Sequence, residues 1–134
     1  MSGEVYKVKQ IRSDGQTRKL KINATPKGLM SEGRRLTRWE NIHQVIVGKK
    51  APGFESNQRE PRYCFSLLSK MGKNFNFECH YASDRTFLLQ DVLRCFPVNK
   101  VNKEHIKTLD SMYDRPDETE TFDIKHEQLG QAQL

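Results

Sequence analysis

Residues 39–54 read Trp-Glu-Asn-Ile-His-Gln-Val-Ile-Val-Gly-Lys-Lys-Ala-Pro-Gly-Phe. The front half is strand-like: Ile42, Val45 and Val47 are apolar, Ile46 adds a β-branched residue, and such side chains favour a pleated surface. Gly48 stops the run, and two lysines and a Pro-Gly pair follow at once. Gly and Pro punctuate local structure. A buried strand over 42–47 therefore feeds a basic loop. The loop from 48 to 62 holds two prolines and two glycines and almost no aliphatic residues, so it is expected to be exposed and mobile.

On the N-terminal side lies a basic hairpin. Residues 5–12 place Tyr6 and Val8 on one face and Lys7 and Lys9 on the other. Ser13-Asp14-Gly15-Gln16 is a turn with Asp-Gly at its centre, as hairpins prefer. Residues 17–23 alternate again, with Leu20 and Ile22 opposite Lys19, Lys21 and Asn23. After a turn at Thr25-Pro26-Lys27-Gly28, short strands are expected near 28–30 and around Leu36, interrupted at 32–35.

On the C-terminal side, residues 63–69 and 75–81 form a second hairpin across Met71-Gly72-Lys73-Asn74. The period then changes. Phe87, Leu88, Val92, Cys95 and Phe96 recur at spacings of three and four, Ser83 or Asp84 can cap, and Pro97 stops the run. This predicts a helix over 84–96. A second helix is predicted within 101–113, capped by Asn102, with Ile106, Leu109 and Tyr113 on one thin apolar face. A run of strands closed by an amphipathic helix argues for a small, mainly β, α+β domain: a curved antiparallel sheet or a barrel-like sandwich with its open end covered.

The chain of 134 residues has room for one domain and a modest core. The expected division is a domain over 1–100, the additional helix over 101–113, and an acidic, disordered tail over 114–134. That last segment carries six acids against two bases, a net of −4, which leaves +10 on the remainder. A basic body points to an anionic partner. No apolar run approaches the roughly 20 residues of a membrane span. The start, Met-Ser-Gly-Glu, carries neither signal-peptide nor myristoylation chemistry. Three cysteines (Cys64, Cys79, Cys95) are an odd number without a C-x-x-C pair, which favours a reducing intracellular compartment.

Catalysis and metal binding find no support in the pattern. His43, His80, His105 and His126 are scattered, and Cys79-His80 has no second pair at zinc spacing. Nothing places Ser66, His80 and Asp84 together as a triad. Gly48-Lys49-Lys50 lacks P-loop spacing. No catalytic residue, metal ligand or cofactor is expected. Nucleic acid is set aside as a partner, because Phe65, Phe75 and Phe77 read as buried, whereas strand binding calls for exposed aromatics among the bases.

Three blocks together resemble a pleckstrin-homology (PH) domain, nearest to the variety at the front of phosphoinositide-specific phospholipases C. The first is Tyr6-Lys7-Val8-Lys9, a turn, and Arg18-Lys19-Leu20. The second is Glu40-Asn41-Ile42-His43-Gln44-Val45 followed by Gly48-Lys49-Lys50-Ala51-Pro52-Gly53-Phe54-Glu55. The third is Arg62-Tyr63-Cys64-Phe65-Ser66-Leu67-Leu68, leading on to the helix. The resemblance spans about residues 5 to 97. It implies two nearly orthogonal antiparallel sheets capped by a C-terminal helix, and a headgroup site on the first hairpin. The matching positions are Lys7, Lys9, Arg12, Arg18, Lys19 and Lys21, with Arg34 and Arg35 where a base on a third strand joins them.

Two departures are evident. Lys19-x-Lys21 stands where the family pattern has base-x-Arg, so the bidentate fork is missing. Leu89 stands in place of the family's helix tryptophan.

The implied function is a non-catalytic adaptor, cytoplasmic and peripheral at a membrane, that binds anionic lipid (phosphoinositide or phosphatidic acid). Elementary electrostatics agrees: lysines at i and i+2 share a strand face, and each base near an anionic bilayer contributes about 1 kcal/mol. The alternative is a protein-interaction scaffold of the same superfold. Leu20 to Gly28 and Phe77 to His80 also resemble phosphotyrosine-binding (PTB) domains, which implies a peptide partner at a sheet edge or along helix 84–96. The helix that PTB domains usually insert after their first strand has no room within 13–16.

Overall fold

The computed structural model describes residues 4–49, 51, 53–54 and 62–126. The chain opens with the hairpin of β1 (Tyr6–Ile11) and β2 (Thr17–Thr25). Its turn is tied by Arg12 N to Gln16 O at 2.8 Å and by Gly15 N to Arg12 O at 2.9 Å. The Asp14 carboxylate also accepts from Gln16 N at 2.9 Å. A tight turn fixes register, and a slip of one residue would exchange the two faces of both strands. The register obtained pairs Lys7 with Lys21, Val8 with Leu20 and Lys9 with Lys19.

Short strands β3 (Gly28–Ser31) and β4 (Arg34–Thr37) follow, then a single 3-10 turn at Trp39–Asn41 and β5 (Ile42–Val47). β6 (Cys64–Ser69) and β7 (Asn74–Cys79) form the second hairpin. Helices α1 (Ala82–Arg94) and α2 (Lys100–Ser111) precede a last strand, β8 (Glu120–Asp123). The strands form one antiparallel sheet in the order β4-β3-β2-β1-β7-β6-β5-β8. This is the mainly β, α+β class expected. The resemblance implies two sheets, whereas the described strands form one, because β1 hydrogen-bonds to β7 with Val8 opposite Cys79 and Ile11 opposite Asn76.

The core follows the alternation. Tyr6, Val8, Ile22, Val45, Val47, Phe65, Leu67, Phe75 and Phe77 face inward. Leu88, Leu89, Val92 and Leu93 of α1 close over them. Each such side chain, fully buried, contributes about 1.5–3 kcal/mol. Leu89 is wholly buried, and Trp39 supplies an indole to the same core. Trp39 Nε1 donates to Thr25 O at 2.6 Å, and its ring meets Phe96 edge-on at 5.5 Å. The end of β2 is thus pinned to the end of α1.

Several expectations are corrected. α1 begins at Ala82 after an N-cap Tyr81 that makes no side-chain cap, so Ser83 and Asp84 lie inside the first turn. Asp84 there still favours the positive end of the helix dipole. Phe87, read as part of the apolar face, is exposed and meets the Tyr113 ring at 6.2 Å. The cap of α2 is Asn99, whose side chain accepts from Asn102 N at 2.8 Å. Asn102 instead holds the following segment, as its side-chain amide donates to Pro97 O and Lys125 O and accepts from Lys125 N.

The contact with Lys125 bears on the largest correction. The segment after 113 is not a free acidic tail as far as residue 126. β8 pairs with β5, Val45 against Phe122, and Phe122 and Ile124 are buried in the core. His105 of α2 meets Asp123 O at 2.7 Å, and His126 meets Ile42 O at 2.7 Å. Gly48, at φ +104, ends β5 where a Cβ would stand 2.5 Å from Thr119 Cγ2. The glycine that stops the organising strand therefore admits the chain leading into β8. Residues 127–134 lie outside the described residues.

The loop after Gly48 is corrected in part. Ala51 and Phe54 are buried with Ile11, Ile46 and Cys64, forming a second small core on the outer face of the sheet. Gly53, at φ +107, leaves no room for a Cβ, which would lie 2.4 Å from Asn76 Nδ2. Positions 50, 52 and 55–61 of the expected mobile loop lie outside the described residues.

Candidate anion-binding pocket

Strand alternation and register together build the site. Lys7 and Lys9 point to the outer face of β1, and the antiparallel partners on β2 are Lys21 and Lys19. Four ammonium groups thus share one face of a two-stranded ribbon. They line a cavity of about 720 Å³ with Leu20, Glu32, Arg62, Glu78 and His80. Small-molecule sites occupy roughly 300–1,000 Å³, so the cavity suits a ligand of that scale. Its charged lining, Lys7, Lys9, Lys19, Lys21 and Arg62 against Glu32 and Glu78, has a formal balance of +3.

Like charges directly opposite one another on a sheet are destabilising. Here two such pairs stand in succession, and among the described residues none of the four lysines makes a salt bridge. Lys9 also has Glu78 opposite it on β7, so its repulsion with Lys19 is partly offset, whereas Lys7 faces only Lys21 in the β1–β2 ladder. An anion set between the strands would relieve both repulsions at once.

Glu78 forms the floor. It is buried on β7, next to Lys9 on one side and Cys64 on the other. Its Oε2 accepts from the backbone N–H of Arg62 at 2.6 Å. That bond fixes the chain entering β6 and brings Arg62 to the rim. A guanidinium thus reaches the cavity from the bend that precedes β6. Behind Glu78 on the same face, Ser66 Oγ donates to Asn76 Oδ1 at 2.6 Å, so this side of the sheet carries buried polar groups with partners.

The eight sequence-predicted residues divide. Lys7, Lys9, Lys19 and Lys21 converge on the cavity. Arg12 sits exposed in the turn, and Arg18 donates to Gln10 Oε1 at 3.0 Å. Neither lines the cavity. Arg34 lies opposite Ser31 at the start of β4, and Arg35 lines a separate, smaller cavity. The pocket residues not anticipated are Glu32, Arg62, Glu78 and His80.

Two further reactive groups are buried. Cys79, on the pocket wall, has its thiol pushed up to about 12 by burial, with Asp84 adding to the shift. A protonated thiol is a poor nucleophile. Arg85 is buried and donates to Cys64 O at 3.2 Å and Pro116 O at 2.9 Å. Burial lowers its pKa, and its position is that of a clamp between α1, β6 and the chain before β8. Among the described residues no group of three or more His, Cys, Asp or Glu is placed to hold a metal ion. No described helix is long and apolar enough to cross a membrane.

Fold and site define a mainly β, α+β domain with a cationic pocket on its first hairpin. No family model, curated protein or solved structure matches the chain.

Proposed function

We propose that the protein is a non-catalytic, PH-like adaptor that binds anionic membrane lipid at the cytoplasmic face of a membrane. The observation that carries this reading is the pair of facing lysine pairs, Lys7 with Lys21 and Lys9 with Lys19, over one cavity and without ion pairs among the described residues. Four bases at about 1 kcal/mol each give about 4 kcal/mol of attraction to an anionic surface. Arg62 adds a planar fork suited to phosphate, the element the second strand lacks. Glu32 and Glu78 accept hydrogen bonds, as a hydroxyl-rich headgroup offers. This favours a phosphoinositide over phosphatidic acid.

The test is co-sedimentation with phosphatidylcholine vesicles carrying either lipid. Lys7→Ala with Lys19→Ala removes two of the four bases, about 2 kcal/mol, and should weaken binding about 30-fold. Unchanged binding of the double variant would refute the proposal.

One observation favours a second reading, a protein-interaction scaffold. Phe87 on α1 and Tyr113 after α2 are exposed and adjacent, with Tyr81 exposed nearby in sequence. If vesicles fail to bind and capture of a partner depends on Phe87 and Tyr113, this reading replaces the first.

A further inference from the structure

Arg35, left out of the hairpin pocket, has company elsewhere. It lines a cavity of about 280 Å³ with Arg38, Asn41, Ser69 and Lys73, where β4 leaves the sheet and β6 turns into β7. The turn is firmly built. Ser69 N donates to Lys73 O at 3.2 Å, Gly72 N to Ser69 O at 3.1 Å and Lys70 N to Asn41 O at 2.8 Å. Ser69 Oγ accepts from Met71 N at 3.2 Å. The Lys73 ammonium is held 5.3 Å from the centre of the Phe75 ring.

Part of the cavity's polar lining is uncommitted. Among the described residues Arg35 and Lys73 make no ion pair, and the Asn41 side chain makes no hydrogen bond. Arg38 meets Glu40 at 3.8 Å, with both side chains more than half exposed. Exposed pairs of that kind are weak and yield readily to a better anion. Three cations and a free amide around a space just below the usual small-molecule range suit one phosphate group.

We infer that this corner is a second phosphate-binding site, separate from the hairpin pocket. Its ligand is a phosphate monoester, either a lipid headgroup or a small soluble phosphate. Met71, 83% exposed at the tip of the same turn, favours the lipid source: it is an apolar side chain placed between Lys70 and Lys73. The site itself does not depend on the adaptor reading; only the lipid source of its phosphate does.

The experiment follows backbone amide shifts of the full chain on titration with glycerol 3-phosphate. Saturable shifts are expected at 35–41 and 69–75 in the wild type and in Lys7→Ala/Lys19→Ala. They should vanish in Arg35→Gln/Lys73→Gln, whose otherwise unchanged spectrum reports an intact fold. No response at 35–41 and 69–75, the same response in Arg35→Gln/Lys73→Gln, or its loss in Lys7→Ala/Lys19→Ala would overturn the inference. A silent hairpin with responsive 35–41 would instead count against the adaptor reading alone. Vesicles containing phosphatidic acid assign the source. Arg35→Gln/Lys73→Gln should weaken vesicle binding about 30-fold if the phosphate is a headgroup. Unchanged vesicle affinity, with the soluble titration positive, supports the site and makes its ligand a soluble phosphate.

Discussion

Truncation of Phe122 to alanine probes the part of the fold that composition hides. Phe122 is 2% exposed. It lies opposite Val45 in the β5–β8 ladder, and its ring centre is 5.0 Å from that of His105. Deleting a buried phenyl group costs about 3–5 kcal/mol, depending on how far the site collapses. β8 has only four residues and stands at the edge of the sheet, so some relaxation is available and about 3 kcal/mol is the working value. Small domains are stable by about 5–15 kcal/mol, so the loss is a fifth or more of the total. With a urea m-value of about 1–3 kcal/mol per molar, the midpoint should fall by about 1–3 M. The control is Thr121→Ala, an exposed neighbour, which should stay within about 0.5 kcal/mol of wild type. Equal midpoints for Phe122→Ala and Thr121→Ala would refute the packing of β8 into the core.

Two further outcomes are expected. Gly53→Ala should lower stability in urea by about 1–3 kcal/mol, because it strains a positive φ and drives a Cβ into the buried Asn76 amide; an unchanged midpoint would count against the close seat of the loop. Stability should also fall in alkali. Burial raises the Cys79 thiol from 9.0 to about 12 and the Tyr6 phenol from 10.0 to about 12. The unfolded chain therefore releases both protons first. The stabilisation is complete below the thiol's ordinary value and is lost between there and about pH 12. Urea midpoints measured across that window should fall with rising pH, and less steeply in Cys79→Ala; a flat profile would rule out the buried, protonated thiol.

The four hairpin lysines are legible in the sequence because what places them is local. Alternation places Lys7, Lys9, Lys19 and Lys21 on one face, and the Asp14-Gly15 turn sets their register. Arg62 and Glu78 are not legible, because their place depends on how β7 pairs with β1 and β6, and no local rule fixes that register. β8 is hidden for a related reason. Glu120-Thr121-Phe122-Asp123 has one aromatic among acids, and its order comes from β5 and from Asn102 and His105 of α2. Tertiary contacts there override composition. Phe54 is the one visible sign that the loop after Gly48 is anchored: an isolated aromatic in a polar stretch, and it lies buried on the outer face. Arg35 joins the hairpin site when placed by chain position alone, but β4 delivers it to another corner.

Lys7, Lys9, Lys19 and Lys21 make the first hairpin an anionic-lipid site in the function proposed above. Its most direct test is the affinity of the full chain for phosphatidylcholine vesicles, with and without phosphoinositide, across a salt series. Binding is expected only when the anionic lipid is present, with affinity falling steadily as salt shortens the range of the exposed charges. Equal binding to neutral vesicles, affinity indifferent to salt, or no binding at low salt would overturn the assignment.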